Sequence, residues 1–166
     1  MSEVTTGDEA REVIVAGAAI IRDFRLFVAR RSRPASVSGF WELPGDELRQ
    51  GEEEHGAIER EFTTEFGVSV RCVDRILSDR RMNSYRTGED RAADATLRIW
   101  RCQLPSESVF DVDLGEPRPN MYDYDESAWV SIDELDAVGP WREADRMTAE
   151  EIADYYRHDD LWQFAD

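Results

Sequence analysis

A chain of 166 residues in which 41% are apolar and 34% are charged is long enough to bury the core of one globular domain. Its net charge is −17 and all 20 basic residues are arginines, so it lacks the basic face that general nucleic-acid or anionic-membrane binding needs. The chain contains two histidines, too few for a typical zinc site. Its two cysteines are far apart in the sequence, which indicates two buried thiols rather than a disulfide framework.

The N-terminal third begins with a polar segment and continues with two strands. Residues 1–11 are acidic and predict a flexible tail rather than a targeting peptide, so residues 12–166 are expected to form a single domain in the reducing cytoplasm. The apolar run 13–21 is too short to span a bilayer and predicts a buried strand. A second strand is expected at 26–31, as the hairpin partner of the first.

One helix and three strands are predicted in the middle of the chain. The helix runs from Glu53 to Phe66, with acidic residues in the first turn, where the helix dipole favours them, and Gly67 ends it. Three strands follow, with a charged loop at 86–94 before the last of them. They are expected at 68–73, 75–84 and 95–104.

The last third predicts an acidic loop at 105–127, a strand at 128–132 and two helices. Ser131 with Glu134, and Thr148 with Glu151, have the spacing of capping boxes, which predicts a short helix and then a final helix of about ten residues. The order of elements predicts an α/β (α+β) fold in which a mixed sheet lies between helices on both faces.

Two glutamates of the predicted helix lie in an unusual position. Ile58, Phe62 and Phe66 form an apolar stripe, and Glu61 and Glu65 lie immediately beside it, one turn apart. Carboxylates about 4 Å apart repel by roughly 4 kcal/mol at the effective dielectric of a protein surface, so they raise their own pKa or recruit a cation. Oxygen ligands alone favour Mg²⁺ or Mn²⁺. The alternative is a solvated acidic helix, which helix geometry by itself favours.

The segment "WELPGDELRQGEEEHGAIEREFTTEFGV" resembles the Nudix box, G-x5-E-x7-R-E-U-x-E-E-x-G-U, in which U is a bulky apolar residue. Aligned on Arg60 and Glu61, the chain has Glu52 at the first glutamate, Glu65 at the second of the paired glutamates and Gly67 at the last glycine. The preceding "VAGAAIIRDFRLFVARR" is also similar to the MutT-like branch of that family. The resemblance covers most of the chain and is clearest over 13–68.

Two positions depart from the box. Asp46 stands where the box begins with glycine, although Gly45 precedes it, and Thr64 stands where the first of the paired glutamates is expected. Aspartate tolerates unusual backbone angles better than most residues, so the loop can still form. However, Asp46 adds negative charge near the expected phosphate, and Thr64 removes one carboxylate.

The resemblance implies a role for each matched residue. Glu61 and Glu65 would bind the divalent cation, Mg²⁺ or Mn²⁺, with the backbone carbonyl of Gly45. Glu52 would lie beside the metal as a candidate general base, and Arg60 would be the buried counter-ion of the carboxylate cluster. A metal that bridges phosphate oxygens neutralises developing charge and lowers the pKa of the attacking water.

Residues outside the box receive roles from the same resemblance. Arg31 would contact the phosphate or base of the substrate, or else be a surface arginine at a strand end. Asp123 would be a further metal ligand, with Asp125 and Glu126 as neighbours that could replace it, unless all three belong to an ordinary acidic loop.

Two more residues could contact the base. Asp145, before the final helix, would accept a hydrogen bond from the base edge, or else be an ordinary pre-helix aspartate. Trp41 would stack on the base, although a packed aromatic ring is the commoner outcome.

These features predict a MutT-like Nudix hydrolase that uses Mg²⁺ to split a nucleoside triphosphate, standard or oxidised, into the monophosphate and pyrophosphate. The departures at Asp46 and Thr64 favour an alternative, a non-catalytic domain that binds a nucleotide or an ADP-ribose-like ligand as a sensor. A scaffold with a vestigial site ranks third. The expected partner is a small nucleotide rather than a nucleic acid or a membrane. The oligomeric state stays open, with a homodimer among the options.

Overall fold

The computed structural model describes residues 12–104, 116–159 and 162. The tail expected at 1–11 and the first part of the acidic loop, 105–115, lie outside these residues. None of the helices within the described ranges is long and apolar enough to cross a membrane. The strands and α-helices of the described part are β1 (Val13–Ala19), β2 (Ile21–Arg22), β3 (Arg25–Arg31), β4 (Trp41–Glu42), β5 (Gly45–Glu47), α1 (Glu54–Glu61), β6 (Arg71–Arg86), β7 (Ala92–Gln103), β8 (Tyr124–Ser131) and α2 (Glu143–His158).

The strands form two four-stranded sheets. The first has the order β5-β1-β7-β6, in which β1 is parallel to β7 and the other neighbours are antiparallel, so it is mixed as predicted. In the second sheet, β3 pairs antiparallel with β2, β4 and β8. Gly17 of β1 faces Gly45 of β5, which places the loop after β4 against the first sheet.

The two α-helices cover opposite faces of the sheets. Val28 packs in the core cluster that contains Ile152 of α2, whereas its neighbour Phe27 packs in the cluster that contains Ile58 of α1. Successive side chains of a strand point to opposite faces, so the two clusters lie on opposite sides of β3. Val15 and Ala16 of β1 divide between the same two clusters, so the mixed sheet also lies between the helices, as predicted.

The helix that carries the glutamate pair changes its geometry along its length. The α-helix ends at Glu61, and Phe62–Phe66 form one π-helical turn. Gly67 follows with φ 69°, a left-handed conformation that glycine adopts without strain, so it ends the helix as predicted. Wider turns of this kind are frequent at functional sites, and this one carries Glu65.

Several strand predictions need correction. The strands expected at 68–73 and 75–84 are the single strand β6, whose register against β7 shifts at three bulges. The bulges take up the residues that interrupt the alternating pattern. Likewise, the run 13–21 is divided, because β1 joins the first sheet while Ile21–Arg22 forms the hairpin with β3.

Neither predicted capping box forms. Ser131 is the last residue of β8, and the short 3-10 turn at Leu135–Ala137 has no side-chain cap. Thr148 lies inside α2, which begins at Glu143 and has 16 residues. The Thr148 hydroxyl donates to the carbonyl of Ala144, one turn earlier, at 2.7 Å, which is the bond of a threonine inside a helix and not that of a cap.

Candidate active site

The candidate site lies where β5, α1 and the start of β8 meet. Gly45 fixes this meeting point, because a Cβ there would lie 2.1 Å from the carbonyl oxygen of Ala16. Only glycine therefore lets β5 approach β1 this closely. The hydroxyl of Tyr124, the first residue of β8, lies 3.4 Å from the Gly45 carbonyl oxygen, so this carbonyl faces the interior between the two strands.

Glu61 and Glu65 are buried, with exposed fractions of 3% and 5%. Burial, followed by the charge of Asp46, raises the pKa of Glu61 to about 9. Burial, followed by the contact with Asp123, raises the pKa of Glu65 to about 7. The Oε2 atom of Glu65 is buried without a hydrogen-bond partner. These properties exclude the solvated acidic helix and are those of a carboxylate pair that a cation would stabilise.

Of the three candidate acids that precede Trp129, Asp123 lies with the glutamates. Its charge acts on both of them, whereas Asp125 accepts a hydrogen bond from Arg30 at 2.8 Å. Glu126 lies 3.7 Å from the same arginine. The acidic loop is therefore divided, and Asp123 is the one of these three that faces the site.

Arg60 pairs with Glu52 and Asp46 rather than with the buried glutamates. Its Nε and Nη2 atoms donate to the two carboxylate oxygens of Glu52 at 2.8 and 2.9 Å, and Nη1 donates to Asp46 at 2.9 Å. The prediction that Arg60 neutralises Glu61 and Glu65 is thus wrong, because its guanidinium instead joins α1 to β5 and the loop after it.

The same pairing bears on the role predicted for Glu52. The hydrogen bonds from Arg60 lower the pKa of Glu52 to about 2. A general base works best when its pKa lies near the operating pH, so a carboxylate this acidic, with both oxygens engaged, is a poor base. The structure argues for Glu52 as a residue that positions Arg60.

A second buried charge cluster lies beside the carboxylates. Glu42 of β4 accepts hydrogen bonds from Arg31 at 2.6 Å, from Arg142 at 2.8 Å and from the Tyr124 hydroxyl at 2.7 Å. Burial opposes the charge of Glu42, but the two arginines outweigh it and lower its pKa. Arg31 is therefore a buried, ion-paired residue and not the exposed strand-end arginine of the alternative interpretation.

Two openings border these clusters. The inner one, of about 10 Å³, is lined by Arg31, Glu42 and Asp145 among others. The outer one, of about 60 Å³, is lined by Asp46 and Asp123 among others, and four arginines surround it. They are Arg31, Arg33, Arg86 and Arg142. In a chain of net charge −17, such a local excess of guanidinium groups favours an anionic ligand.

A family model described as the NUDIX domain matches residues 12–152, which is most of the chain. This chain belongs to the NUDIX family. A relative from Mycobacterium tuberculosis, whose name makes it a candidate 8-oxo-dGTP diphosphatase, is 36% identical over 144 residues, covering 86% of this chain and 88% of that protein. The chain is a Nudix hydrolase, and the resemblance that its sequence predicted is confirmed.

Solved structures show the same fold. A MutT NUDIX hydrolase from Burkholderia pseudomallei has a TM-score of 0.64 at 23% identity, and the match covers 84% of this chain and 97% of that one. A MutT protein from Methanosarcina mazei has a TM-score of 0.68 at 16% identity, covering 91% and 99%. At these identities the likeness is one of architecture.

The two departures from the Nudix box lie in different environments. Thr64 is exposed, and its carbonyl accepts a hydrogen bond from the Asn120 side chain at 3.0 Å. Asp46 lines the outer opening, and after burial it is the strongest influence on the pKa of Glu61. The π-helical turn thus lacks the carboxylate that the box would place at position 64, while Asp46 of β5 supplies one beside Glu61.

The two candidate base contacts of the Nudix hydrolase also differ. Asp145 lies in the first turn of α2 rather than before the helix, and its Oδ1 accepts the backbone N–H of Leu43 at 3.0 Å. Burial, followed by the charge of Glu42, raises the pKa of Asp145 to about 7. Trp41 is 5% exposed and packs in the core, lining neither opening, so the prediction that it stacks on a base is wrong.

The donor set fits a hard divalent cation in its chemistry. Glu61, Glu65, Asp123 and the carbonyl of Gly45 offer oxygen atoms alone, which suit Mg²⁺ or Mn²⁺, and one of these oxygens has no partner. Within the described residues, no three His, Cys, Asp or Glu side chains already surround a point in metal-binding geometry.

Sequence reasoning missed the cluster around Glu42. The available signal was a charged residue between Trp41 and Leu43 in an otherwise apolar segment, since a buried charge needs a partner. Its partner Arg142 lies 100 residues further along the chain. The tertiary fold alone could identify that pair.

Proposed function

We propose that this Nudix hydrolase uses Mg²⁺ or Mn²⁺ to hydrolyse a nucleoside triphosphate to the monophosphate and pyrophosphate. The observation that carries the proposal is the buried pair Glu61 and Glu65, with an unpartnered carboxylate oxygen. The pair interacts with Asp46 and Asp123, which line an opening that four arginines surround. Burying two carboxylates without a counter-ion costs several kcal/mol, and a divalent cation offsets that cost. A polyphosphate chain would supply further oxygen ligands to the same cation.

The carboxylates would hold the cation. Glu61, Glu65 and Asp123 are the side chains proposed for this task, with the carbonyl of Gly45. When bound, the cation neutralises charge on the phosphates and lowers the pKa of the attacking water. The ion pair of Arg60 with Glu52 and Asp46 holds β5 and its loop against α1, which keeps these donors close together.

The arginine cluster would orient the substrate. Arg31 and Arg142 are fixed by Glu42 and border the outer opening, so their guanidinium groups can donate to phosphate oxygens without first becoming ordered. The outer opening is far smaller than a nucleotide, so substrate binding would have to widen it. Arg33, whose side chain is 50% exposed, is the arginine of this opening with most freedom to move.

Asp145 would read the base. Its backbone contact with Leu43 holds the carboxyl group at the inner opening. Near neutral pH a carboxyl group with a pKa of about 7 can either accept or donate a hydrogen bond at the base edge. The name of the mycobacterial relative makes 8-oxo-dGTP the first substrate to test. We also propose that the protein acts on this small molecule in the reducing cytoplasm, without a nucleic-acid partner.

The test is product analysis after incubation with standard and oxidised nucleoside triphosphates, with dinucleotides and with nucleotide sugars, in Mg²⁺ and in Mn²⁺. Pyrophosphate is the product measured for the triphosphates, and phosphomonoesters are the products measured for the other two classes. The expected result is turnover of a triphosphate, with the nucleoside monophosphate and pyrophosphate as products. Absence of pyrophosphate release from every triphosphate with both metals would overturn the proposal. Release of orthophosphate instead would contradict the proposed cleavage position.

Calorimetry separates this proposal from the sensor alternative that Asp46 and Thr64 motivated. A sensor binds a nucleotide or an ADP-ribose-like ligand tightly in the presence of EDTA and does not turn it over. The hydrolase binds the triphosphate tightly only with a divalent cation. Measuring binding of a non-hydrolysable triphosphate with and without EDTA therefore gives opposite results for the two functions.

A further inference from the structure

The two cysteines, far apart in sequence, are direct neighbours in the fold. Cys72 of β6 faces Cys102 of β7 in the antiparallel register, and their Sγ atoms are 3.4 Å apart. Both are free thiols. The sequence separation of 30 residues concealed this contact, because the bulges of β6 set the register.

The two thiols differ in their access to solvent. Cys102 is 2% exposed, and burial raises the pKa of its thiol, whereas Cys72 is only partly buried. A small oxidant dissolved in water therefore meets Cys72 first. Cys102 lies directly behind it, placed to react with an oxidised Cys72.

The backbone already satisfies the distance that a disulfide needs. Residues that face each other in antiparallel strands have Cα atoms about 4.5–5.5 Å apart, and disulfides span Cα distances of about 4.4–6.8 Å. Closing the sulfur atoms from 3.4 Å to a bond of about 2 Å requires a small movement. The bulge that directly follows Cys72 gives β6 the local freedom to make it.

We propose that Cys72 and Cys102 are a redox modification site at which a hydroperoxide forms a reversible disulfide between β6 and β7. In the first step the Cys72 thiolate attacks a peroxide oxygen, the O–O bond breaks, and hydroxide or alkoxide leaves, which gives a sulfenic acid. In the second step the Cys102 sulfur attacks the Cys72 sulfur. The S–O bond breaks and water leaves, taking the Cys102 proton. One hydroperoxide is reduced by two electrons, and a thiol such as glutathione reverses the change.

The disulfide would join two strands of the first sheet beside the start of α1. The Cys72 Sγ lies 3.8 Å from the carbonyl oxygen of His55, in the first turn of the helix that carries Arg60 and Glu61. A cross-link here restricts the unfolded chain between the two cysteines and leaves the folded strands paired as they are. The oxidised protein is therefore the more stable form, and its fold is unchanged.

The test uses the full chain, incubated with hydrogen peroxide and then denatured for thiol counting and peptide mapping. The expected result is a fall from two thiols to none, a monomer that contains a Cys72–Cys102 linked peptide, and recovery of both thiols with dithiothreitol. The oxidised protein should also melt about 5 °C above the reduced one. Any of three results would overturn the proposal: two thiols retained, Cys72 overoxidised with Cys102 still free, or a disulfide between two chains.

Cys72→Ser is the matched control. It contains every methionine of the wild type, so its response to peroxide isolates the contribution of the thiol pair. In this variant Cys102 should keep its thiol after the same treatment, and the melting temperature should not rise. A rise equal to that of the wild type would assign the stabilisation to another residue and contradict the cross-link. Cys102→Ser should leave Cys72 to react alone, without a linked peptide.

Discussion

Two buried charge clusters lie side by side in this Nudix hydrolase, and they are balanced in opposite ways. Glu42 is held between Arg31 and Arg142, so its charge is matched. Glu61 and Glu65 lie among further carboxylates, and one of their oxygens has no partner. In the first cluster every charge takes part in an ion pair, and these pairs join β3, β4 and the start of α2. In the second cluster the carboxylates are not neutralised, and a bound cation would neutralise them.

Buried charges therefore have two roles in this site: one cluster stabilises the fold, and the other is available to bind a cation. A matched cluster stabilises the fold only while every partner is present, because the loss of one leaves the others buried and uncompensated. An unmatched cluster opposes folding and is retained for the ligand that neutralises it. Substitutions in the two clusters should therefore have opposite effects on stability and on activity.

The largest expected effect is that of Glu42→Gln. Arg31 and Arg142 would remain buried without a carboxylate, which should cost about 3–5 kcal/mol of unfolding free energy. Thermal unfolding followed by circular dichroism should show a melting temperature lower by roughly 10 °C. Glu59→Gln, on the exposed face of α1, is the control and should change it little. A Glu42→Gln protein as stable as this control would show that the cluster does not support the fold.

Glu65→Gln should lower the activity without lowering the stability of the fold. Removing the charge of a proposed cation ligand should lower kcat by roughly 100-fold or more, while the neutral carboxamide is easier to bury. The melting temperature without metal should thus stay the same or rise. Pyrophosphate release and thermal unfolding measure the two effects, again with Glu59→Gln as the control. Activity like that of the wild type would remove Glu65 from the cation site.

The dependence of stability on pH should also distinguish the clusters. Glu61 and Glu65 have pKa values of about 9 and 7 when folded, against 4.5 when unfolded, so the folded protein holds protons that the unfolded chain has lost. Without metal, stability should therefore be highest near pH 5 and fall continuously as the pH rises to about 9.

Denaturant unfolding at several pH values, in EDTA and in excess Mg²⁺, measures this effect. Excess Mg²⁺ should remove most of the loss, because it replaces the bound protons. Glu61→Gln should flatten the profile in EDTA. An equally steep profile for Glu61→Gln would assign the pH dependence to other groups.

The smallest effect is expected for Thr64→Glu. This substitution restores the glutamate of the Nudix box at an exposed position, while Asp46 already places a carboxylate beside Glu61. The affinity for Mn²⁺, measured by calorimetry, should change by less than threefold or so, since exposed charges interact weakly. A much larger gain would mean that position 64 faces the cation and that the wild-type site lacks a ligand.

Much of the site could be predicted from the sequence because its signals are local. Glu61 and Glu65 are one helical turn apart beside an apolar stripe, and a helix of fixed period places them at the edge of the core. Gly67 ended the helix as predicted, since few other residues adopt a left-handed backbone without strain. The capping box predicted at Thr148 was wrong, because its sequence spacing is the same at a helix start and inside a helix. Thr148 lies inside α2, where its hydroxyl donates to the carbonyl of Ala144.

The family, the order of strands and helices, and the pair of neighbouring glutamates all follow from local patterns in the sequence. Which charges are neutralised depends on the folded structure. The tertiary structure paired Arg60 with Glu52 and Asp46, paired Glu42 with the distant Arg142, and brought the two thiols together. The physical reason is that helix period and strand alternation act over a few residues, whereas the pairing of buried charges depends on which distant segments share the interior.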